Sequence, residues 1–208
     1  MKIVTALKII TSASALMSFT GQAVAATEFY FTSSPTSWVG EGQTVSVSPS
    51  SGFYFTPSRN FDNGASFTIY ELATDPEGQY LNLWNLDFSA PFGENLSVGN
   101  YEDASRWPFH EFGKPGLALS SNFRGSNTLT GSFKILEVSY AASGDILTFA
   151  ADFMQYEEGI QNDWVGGSIR YNSSIAISTI PEPGSVMLFC AGVGVLVTFG
   201  RRGQSVRR

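Results

Sequence analysis

The sequence is poor in the residues that build disulfide frameworks and metal centres, because its 208 residues include one cysteine and one histidine. A single cysteine excludes an internal disulfide framework and a cysteine-based zinc site. The lone histidine, His110, excludes metal centres that need two imidazoles. Charged residues are also scarce, at 14% of the chain, against about 25% in an average domain. The net charge of −6 argues against nucleic-acid binding, since phosphate contacts require clustered basic side chains.

The few charges are unevenly distributed along the chain. Residues 1–25 carry two lysines and no acid, whereas residues 26–180 carry 17 acidic and 6 basic residues, a net charge of −11. Residues 181–208 are basic again, with four arginines against one glutamate. Each basic end also contains an apolar run. The pattern predicts a folded domain at 26–178, with separate segments at 1–25 and 179–208.

The N-terminal segment has the three parts of a secretory signal peptide. Lys2 and Lys8 form its basic part, an uncharged apolar stretch follows at 9–19, and Ala23 and Ala25 form an A-x-A cleavage site. We therefore predict export by the Sec machinery and cleavage by signal peptidase at this site. The alternative is an amphipathic first helix of the domain.

The C-terminal segment combines a proline motif at 181–183, an apolar run at 184–200 and a basic tail at 201–208. The 17 residues of the apolar run would span about 25 Å as a helix, which is marginal for a hydrocarbon core of about 30 Å. The positive-inside rule predicts that the arginines of the tail stay cytoplasmic. These are Arg201, Arg202, Arg207 and Arg208. We expect one short transmembrane helix that holds the acidic domain outside the inner membrane.

In this order the three parts resemble the PEP-CTERM sorting signal. Pro181, Glu182 and Pro183 match its motif residue by residue, and Arg201 and Arg202 match its basic stop. The resemblance implies a substrate of exosortase, a membrane cysteine protease or transpeptidase. Such a chain is exported, tethered and cut near the motif at the surface of an exopolysaccharide-producing Gram-negative bacterium. The alternative is a single-pass tail anchor that is never cut.

The middle of the chain has the sequence pattern of a β domain. Short apolar stretches are interrupted by turn residues at the spacing that is typical of sandwiches and barrels. Leu147, Phe149, Ala151 and Phe153 share one face of a strand at a period of two residues. No sustained helical stripe occurs outside the terminal segments. We predict an all-β fold, an antiparallel β-sandwich, in which residues 89–116 form an irregular loop.

Three turn sequences support this prediction. Asp62-Asn63-Gly64 and Ser143-Gly144-Asp145 have the composition of hairpin turns. Asp75-Pro76-Glu77-Gly78 places proline favourably for a further turn.

The same segment is similar to a β domain that recurs in secreted bacterial proteins. The similarity rests on short pieces at 84–91, 99–104, 123–127, 131–133, 151–153 and 169–173. It implies a cysteine pair at the positions that Ser126 and Glu157 occupy here, so this chain would depend on packing alone. It implies no activity.

Several functions remain open for the domain. We expect no catalytic group and no cofactor, and a secreted hydrolase that uses His110 is the weakest alternative, because no G-x-S-x-G nucleophile elbow accompanies it. Trp107 and His110 are the candidate contacts for a carbohydrate such as exopolysaccharide. A calcium-binding alternative rests on oxygen-bearing side chains in turns. These belong to Asp62, Asn63, Asp75 and Glu77.

Overall fold

The computed structural model describes residues 24–177, which form ten β-strands. The first strand begins at Ala26, and a single 3₁₀ turn at Pro49–Ser51 connects the second strand to the third. The strands are β1 Ala26–Ser33, β2 Thr44–Val47, β3 Tyr54–Arg59, β4 Ala65–Tyr70, β5 Leu83–Ser89, β6 Gly99–Arg106, β7 Gly116–Ser121, β8 Leu129–Tyr140, β9 Ile146–Glu157 and β10 Trp164–Ser173. The prediction of an all-β fold is confirmed.

The ten strands form one continuous sheet in the order β2-β1-β10-β9-β8-β6-β7-β5-β4-β3. All neighbouring strands are antiparallel except β6 and β7, which pair in parallel over Ser105–Gly116 and Arg106–Leu117. This short parallel pair joins the half of the sheet from β2 to β6 to the half from β7 to β3. The prediction of two separate antiparallel sheets is therefore not confirmed, because hydrogen bonds run through the junction.

The sheet is curled, so that its two halves pack face to face around one core. Phe67 of β4 lies 4.9 Å from Phe149 of β9, measured between ring centroids. Trp84 of β5 lies 5.9 Å from Phe29 of β1. Burying each such aromatic side chain contributes about 2–3 kcal/mol. Aromatic pairs of this kind therefore hold the two halves together.

One predicted face is displaced by a β-bulge in β9. The partners Ser139–Thr148 and Tyr140–Ile146 leave Leu147 as an extra residue on that strand. Ile146 consequently turns into the core, whereas Leu147 is half exposed. The expectation that Leu147 shares the buried face is wrong for this reason, although Phe149, Ala151 and Phe153 do line it.

The predicted irregular loop at 89–116 contains a strand, β6. Its pairing with β8 passes from Tyr101–Phe133 to Ala104–Gly131, so two residues of β6 face one residue of β8. Asp103 at this bulge has a φ of +54°, which side chains other than glycine adopt less often. The bulge interrupts the alternation of apolar and polar residues that would have revealed the strand.

The predicted turns are confirmed. The amide of Gly144 donates to the carbonyl of Ala141 at 2.9 Å in the β8–β9 hairpin. Asn63, with a φ of +58°, lies in the β3–β4 hairpin. The amide of Gly78 donates to the carbonyl of Asp75 at 3.0 Å.

Glu157 makes a polar connection at one of the positions where the resemblance implies a cysteine. Its carboxylate is 4% exposed and accepts hydrogen bonds from the Ser37 hydroxyl at 2.5 Å and from the Trp38 amide at 2.7 Å. The Val39 amide also donates to it, at 3.2 Å. Several donors to one buried carboxylate compensate its loss of hydration. The end of β9 is thus held to the turn after β1 by hydrogen bonds. Ser126, at the other position where the resemblance implies a cysteine, is also buried.

Candidate functional site

The candidate site of the domain is the loop between β6 and β7, which contains Trp107 and His110. The Trp107 indole N–H donates to the Asp62 carboxylate at 3.0 Å. The indole also packs against Phe61, with 5.5 Å between ring centroids. Both partners belong to the turn between β3 and β4, so two loops that are distant in sequence form one surface.

These two loops expose large aromatic rings to solvent. Phe61, Phe109 and Phe112 are 71%, 74% and 92% exposed, and together with the half-buried Trp107 we call them the loop aromatic surface. The Arg106 guanidinium lies 5.2 Å from the centre of the Phe109 ring, where a cation is attracted to the face of the ring. Rings exposed to this extent contribute little to the core. They are available to an external ligand.

Phe61 is the residue of this surface that sequence reasoning missed. It is an apolar residue inside the otherwise polar turn 60–64. An aromatic residue in a polar turn can indicate a binding surface, since the geometry of the turn does not require a ring there. Only the tertiary structure shows that this ring lies beside Trp107.

His110, in the same β6–β7 loop, is buried. The imidazole is 4% exposed and stacks on Phe92 with 3.9 Å between ring centroids. Burial lowers the pKa of His110, and the nearby Asp62 carboxylate opposes this effect. Neither ring nitrogen has a hydrogen-bond partner among residues 24–177. This environment favours the neutral imidazole and leaves little of the residue accessible, and its role as a ligand contact stays a prediction.

The geometry around His110 shows no nucleophile hydrogen-bonded to its imidazole within residues 24–177. The Ser89 hydroxyl, on the same side of Gly116, is fully buried and also lacks a hydrogen-bond partner within the described residues. Ser89 and His110 both pack on Gly116, where a Cβ atom would come within 2.4 Å of the serine Oγ and 2.9 Å of the histidine Nδ1. A nucleophile must reach substrate and be hydrogen-bonded to its base. This serine and histidine meet neither condition.

Two of the four predicted calcium-binding side chains, those of Asp62 and Asp75, already accept hydrogen bonds from the protein. The Asp62 carboxylate accepts the hydrogen bond from Trp107, and the Asp75 carboxylate accepts one from the Gln79 amide at 2.8 Å. In the part of the chain from 24 to 177, no three His, Cys, Asp or Glu side chains come together in a group that could hold a metal ion. Asn63 and Glu77 lie in the same two turns.

The β6–β7 loop of the loop aromatic surface and the last residue of β10 lie at opposite ends of the strands. Ser105 pairs with Thr130, Thr130 with Tyr156, and Tyr156 with Trp164. The loop that begins at Trp107 is therefore level with the start of β10. β10 ends at Ser173, which is about 30 Å away for a strand of this length.

The sorting residues lie outside the described part of the structure. This applies to Ala23 of the predicted signal peptide, to the motif of Pro181, Glu182 and Pro183, and to the basic tail at 201–208. Ala25 precedes β1 directly. Among residues 24–177, no helix is long and apolar enough to cross a membrane.

A comparison with protein families identifies the C-terminal segment. Residues 179–208 match the family model of the PEP-CTERM protein-sorting motif. The chain is a PEP-CTERM domain-containing protein. Its C-terminal segment is therefore an exosortase-targeted sorting signal, which implies export and membrane-anchored sorting with exosortase as the processing partner. No curated protein and no solved structure matches the chain.

Proposed function

We propose that this chain is a non-enzymatic protein of the cell envelope or extracellular matrix, which exosortase sorts and cleaves at its C-terminal motif. The observation that carries the proposal is the sorting motif at 179–208, directly after the end of the described fold at Ile177. In this arrangement the β domain is the cargo. The residues that act in sorting, Pro181, Glu182 and Pro183, are a recognition sequence and supply no catalytic group.

The order of the terminal segments defines the proposed route. The signal peptide at 1–25 directs export and is removed by signal peptidase. The apolar run at 184–200 holds the chain in the inner membrane, and the arginines at 201–208 keep its end cytoplasmic. Cleavage near 181–183 then releases the domain to the surface of a Gram-negative cell.

Mass spectrometry of the chain from two isogenic hosts, with and without exosortase, tests this proposal. We expect a C-terminus near residues 181–183 only in the host that has the enzyme. Pro183→Ala should reduce cleavage, whereas Pro76→Ala, in an exposed turn of the domain, should leave it unchanged. A C-terminus that remains intact through Arg208 in both hosts would contradict the proposal.

A second candidate function, carbohydrate binding, is favoured by the loop aromatic surface. Exposed rings can stack on the apolar faces of sugars, and Asp62 fixes the Trp107 indole through its N–H. The β6–β7 loop of this surface also lies at the opposite end of the strands from Ser173, the last residue of β10. The acidic domain makes a neutral polysaccharide a better ligand than an anionic one.

Calorimetric titration with neutral exopolysaccharide fractions from the producing strain tests the second candidate. Trp107→Ala and Phe112→Ala should each weaken binding about tenfold, since stacking on one aromatic side chain is worth about 1–1.5 kcal/mol. Trp38→Ala removes an exposed ring outside the surface and serves as the control. Equal weakening by all three variants, or no binding by the parent chain, would argue against it.

A further inference from the structure

The last described residues of the chain are held on the outer face of the sheet by one buried arginine. The Arg170 side chain is 1% exposed. Its Nε donates to the Ile175 carbonyl at 3.0 Å, and its Nη2 donates to the Ala176 carbonyl at 3.2 Å. Residues 174–177, which follow β10, therefore fold back towards this strand. We call them the exit strap.

The arginine that holds the exit strap is itself rigidly fixed. Its Nη2 pairs with the Asp152 carboxylate at 2.8 Å. Its Nη1 donates to the carbonyls of Ala151 at 2.8 Å and Ile169 at 3.0 Å. The planar guanidinium has five N–H donors that point in several directions, so it can bind the acceptors in the strands and the carbonyls of the strap at the same time. A lysine ammonium has three donors on a flexible stem and cannot make the same set of hydrogen bonds.

Ser173 adds a second contact at the start of the exit strap. Its hydroxyl donates to the Glu137 carboxylate at 2.5 Å and accepts the Ile175 amide at 3.1 Å. Ser173 is 1% exposed. The strap is therefore held at its carbonyls by Arg170 and at one amide by Ser173.

The exit strap limits the length of free chain before the sorting motif. Only residues 178–180 lie between Ile177 and Pro181, and they can span at most about 10 Å. A protease that takes up an extended segment around 181–183 would thus meet the folded domain close to its cleft. Release of the strap adds four residues, or about 13 Å of extended chain.

We propose that Arg170 is a positioning residue for processing, which restrains the exit strap and thereby slows cleavage at the sorting motif until the strap opens. The inference rests on the proposed function, because it assigns a rate-setting contact to the same cleavage. If opening is fast and reversible, the rate of cleavage is proportional to the fraction of chains with an open strap.

Two substitutions weaken the strap in different ways. Ser173→Ala removes one hydrogen bond to the strap and should speed cleavage about fivefold, which corresponds to about 1 kcal/mol. Arg170→Lys keeps the charge beside Asp152 but loses the donors to the strap carbonyls, so a larger increase is expected. Arg59→Lys is the matched control, since Arg59 lies 4.7 Å from the Tyr140 ring and has no hydrogen bond to the strap.

A linker separates the effect of the strap from an effect on overall stability. Ten Gly and Ser residues inserted between Ser178 and Thr179 give the motif sufficient reach with the strap closed. We expect this insertion to speed cleavage of the parent chain. In its presence, Arg170→Lys and Ser173→Ala should no longer change the rate.

The experiment follows cleavage of the full chain after a pulse of synthesis, in hosts with and without exosortase, and checks folding by tryptophan fluorescence. Equal rates for the parent and both strap variants would refute the strap and leave the proposed function intact. Faster cleavage of the variants with and without the linker would also refute it, because lower stability would then be the cause. Failure of every chain to be cut would refute both proposals.

Discussion

A buried carboxyl group in β5 makes the stability of this domain depend on pH in a defined direction. Asp87 is 8% exposed and accepts a hydrogen bond from the Ser66 hydroxyl of the adjacent strand. No basic side chain among residues 24–177 forms an ion pair with it. Burial raises its pKa from 3.8 to about 6, and the bond from Ser66 only partly opposes this effect.

The sign and size of the effect follow from this shift. Below pH 3.8 the carboxyl group is protonated in both the folded and the unfolded chain. As the pH rises to about 6, the unfolded chain ionises first, so the folded state loses stability. The total loss is at most about 3 kcal/mol, at 1.36 kcal/mol for each pH unit. Asp87→Asn removes the ionisation while its amide oxygen can still accept the Ser66 hydrogen bond.

We therefore expect Asp87→Asn to raise the free energy of unfolding at pH 7 by about 1–3 kcal/mol, and this gain should disappear near pH 3.5. Urea unfolding of the full chain in nonionic detergent measures it. The four tryptophans, Trp38, Trp84, Trp107 and Trp164, all lie in the described fold and report on it.

Asp152→Asn is the matched control for this prediction. It leaves the buried Arg170 without its anionic partner, so it should destabilise the domain at pH 7 by about 3 kcal/mol. A destabilising Asp87→Asn at pH 7, or a gain that is the same at pH 3.5, would refute the reasoning.

Three further predictions concern other buried and polar groups. Glu157→Ala should lower the free energy of unfolding by about 2–4 kcal/mol in urea titrations, because Ser37 and the amides of its turn lose their acceptor. A loss below about 0.5 kcal/mol would show that these hydrogen bonds do not stabilise the domain. Since burial lowers the pKa of His110, its contribution to stability is present above the ordinary pKa of 6.5 and is lost as the pH falls through the folded value. His110→Phe should therefore flatten the decline of melting temperature on acidification, and an unchanged decline would exclude His110 as its cause. Calcium at millimolar concentration should leave the melting temperature unchanged, and a rise that a chelator reverses would show that the turns bind the ion.

The fold could be predicted as far as local patterns carry information. The alternation of Phe149, Ala151 and Phe153 in β9 and the turn sequences between strands specified β structure, and these predictions are confirmed. Predictions from local patterns were wrong at the bulges in β6 and β9, because an extra residue there shifts the alternation of buried and exposed side chains and leaves the composition unchanged. They also could not show that β6 pairs in parallel with β7, since pairing between strands is not encoded within either strand.

One candidate site could be predicted from the sequence and the other could not. The sorting motif is a contiguous sequence that a processing enzyme reads as an extended chain, so Pro181, Glu182 and Pro183 could be recognised without a fold. The loop aromatic surface depends on Phe61 and Trp107, which are separated by 45 residues in the sequence and meet only in the folded domain.

The sequence by itself determined the sorting signal, the β class of the domain and the separation of an acidic middle from basic ends, because each of these depends on residues that are neighbours along the chain. The tertiary structure alone decided that His110 is buried, that Glu157 holds the turn after β1, and that Arg170 holds the exit strap. These three results depend on contacts between separate segments and on the exclusion of water from them. Local sequence patterns do not specify such contacts, since burial is a property of the whole packed sheet.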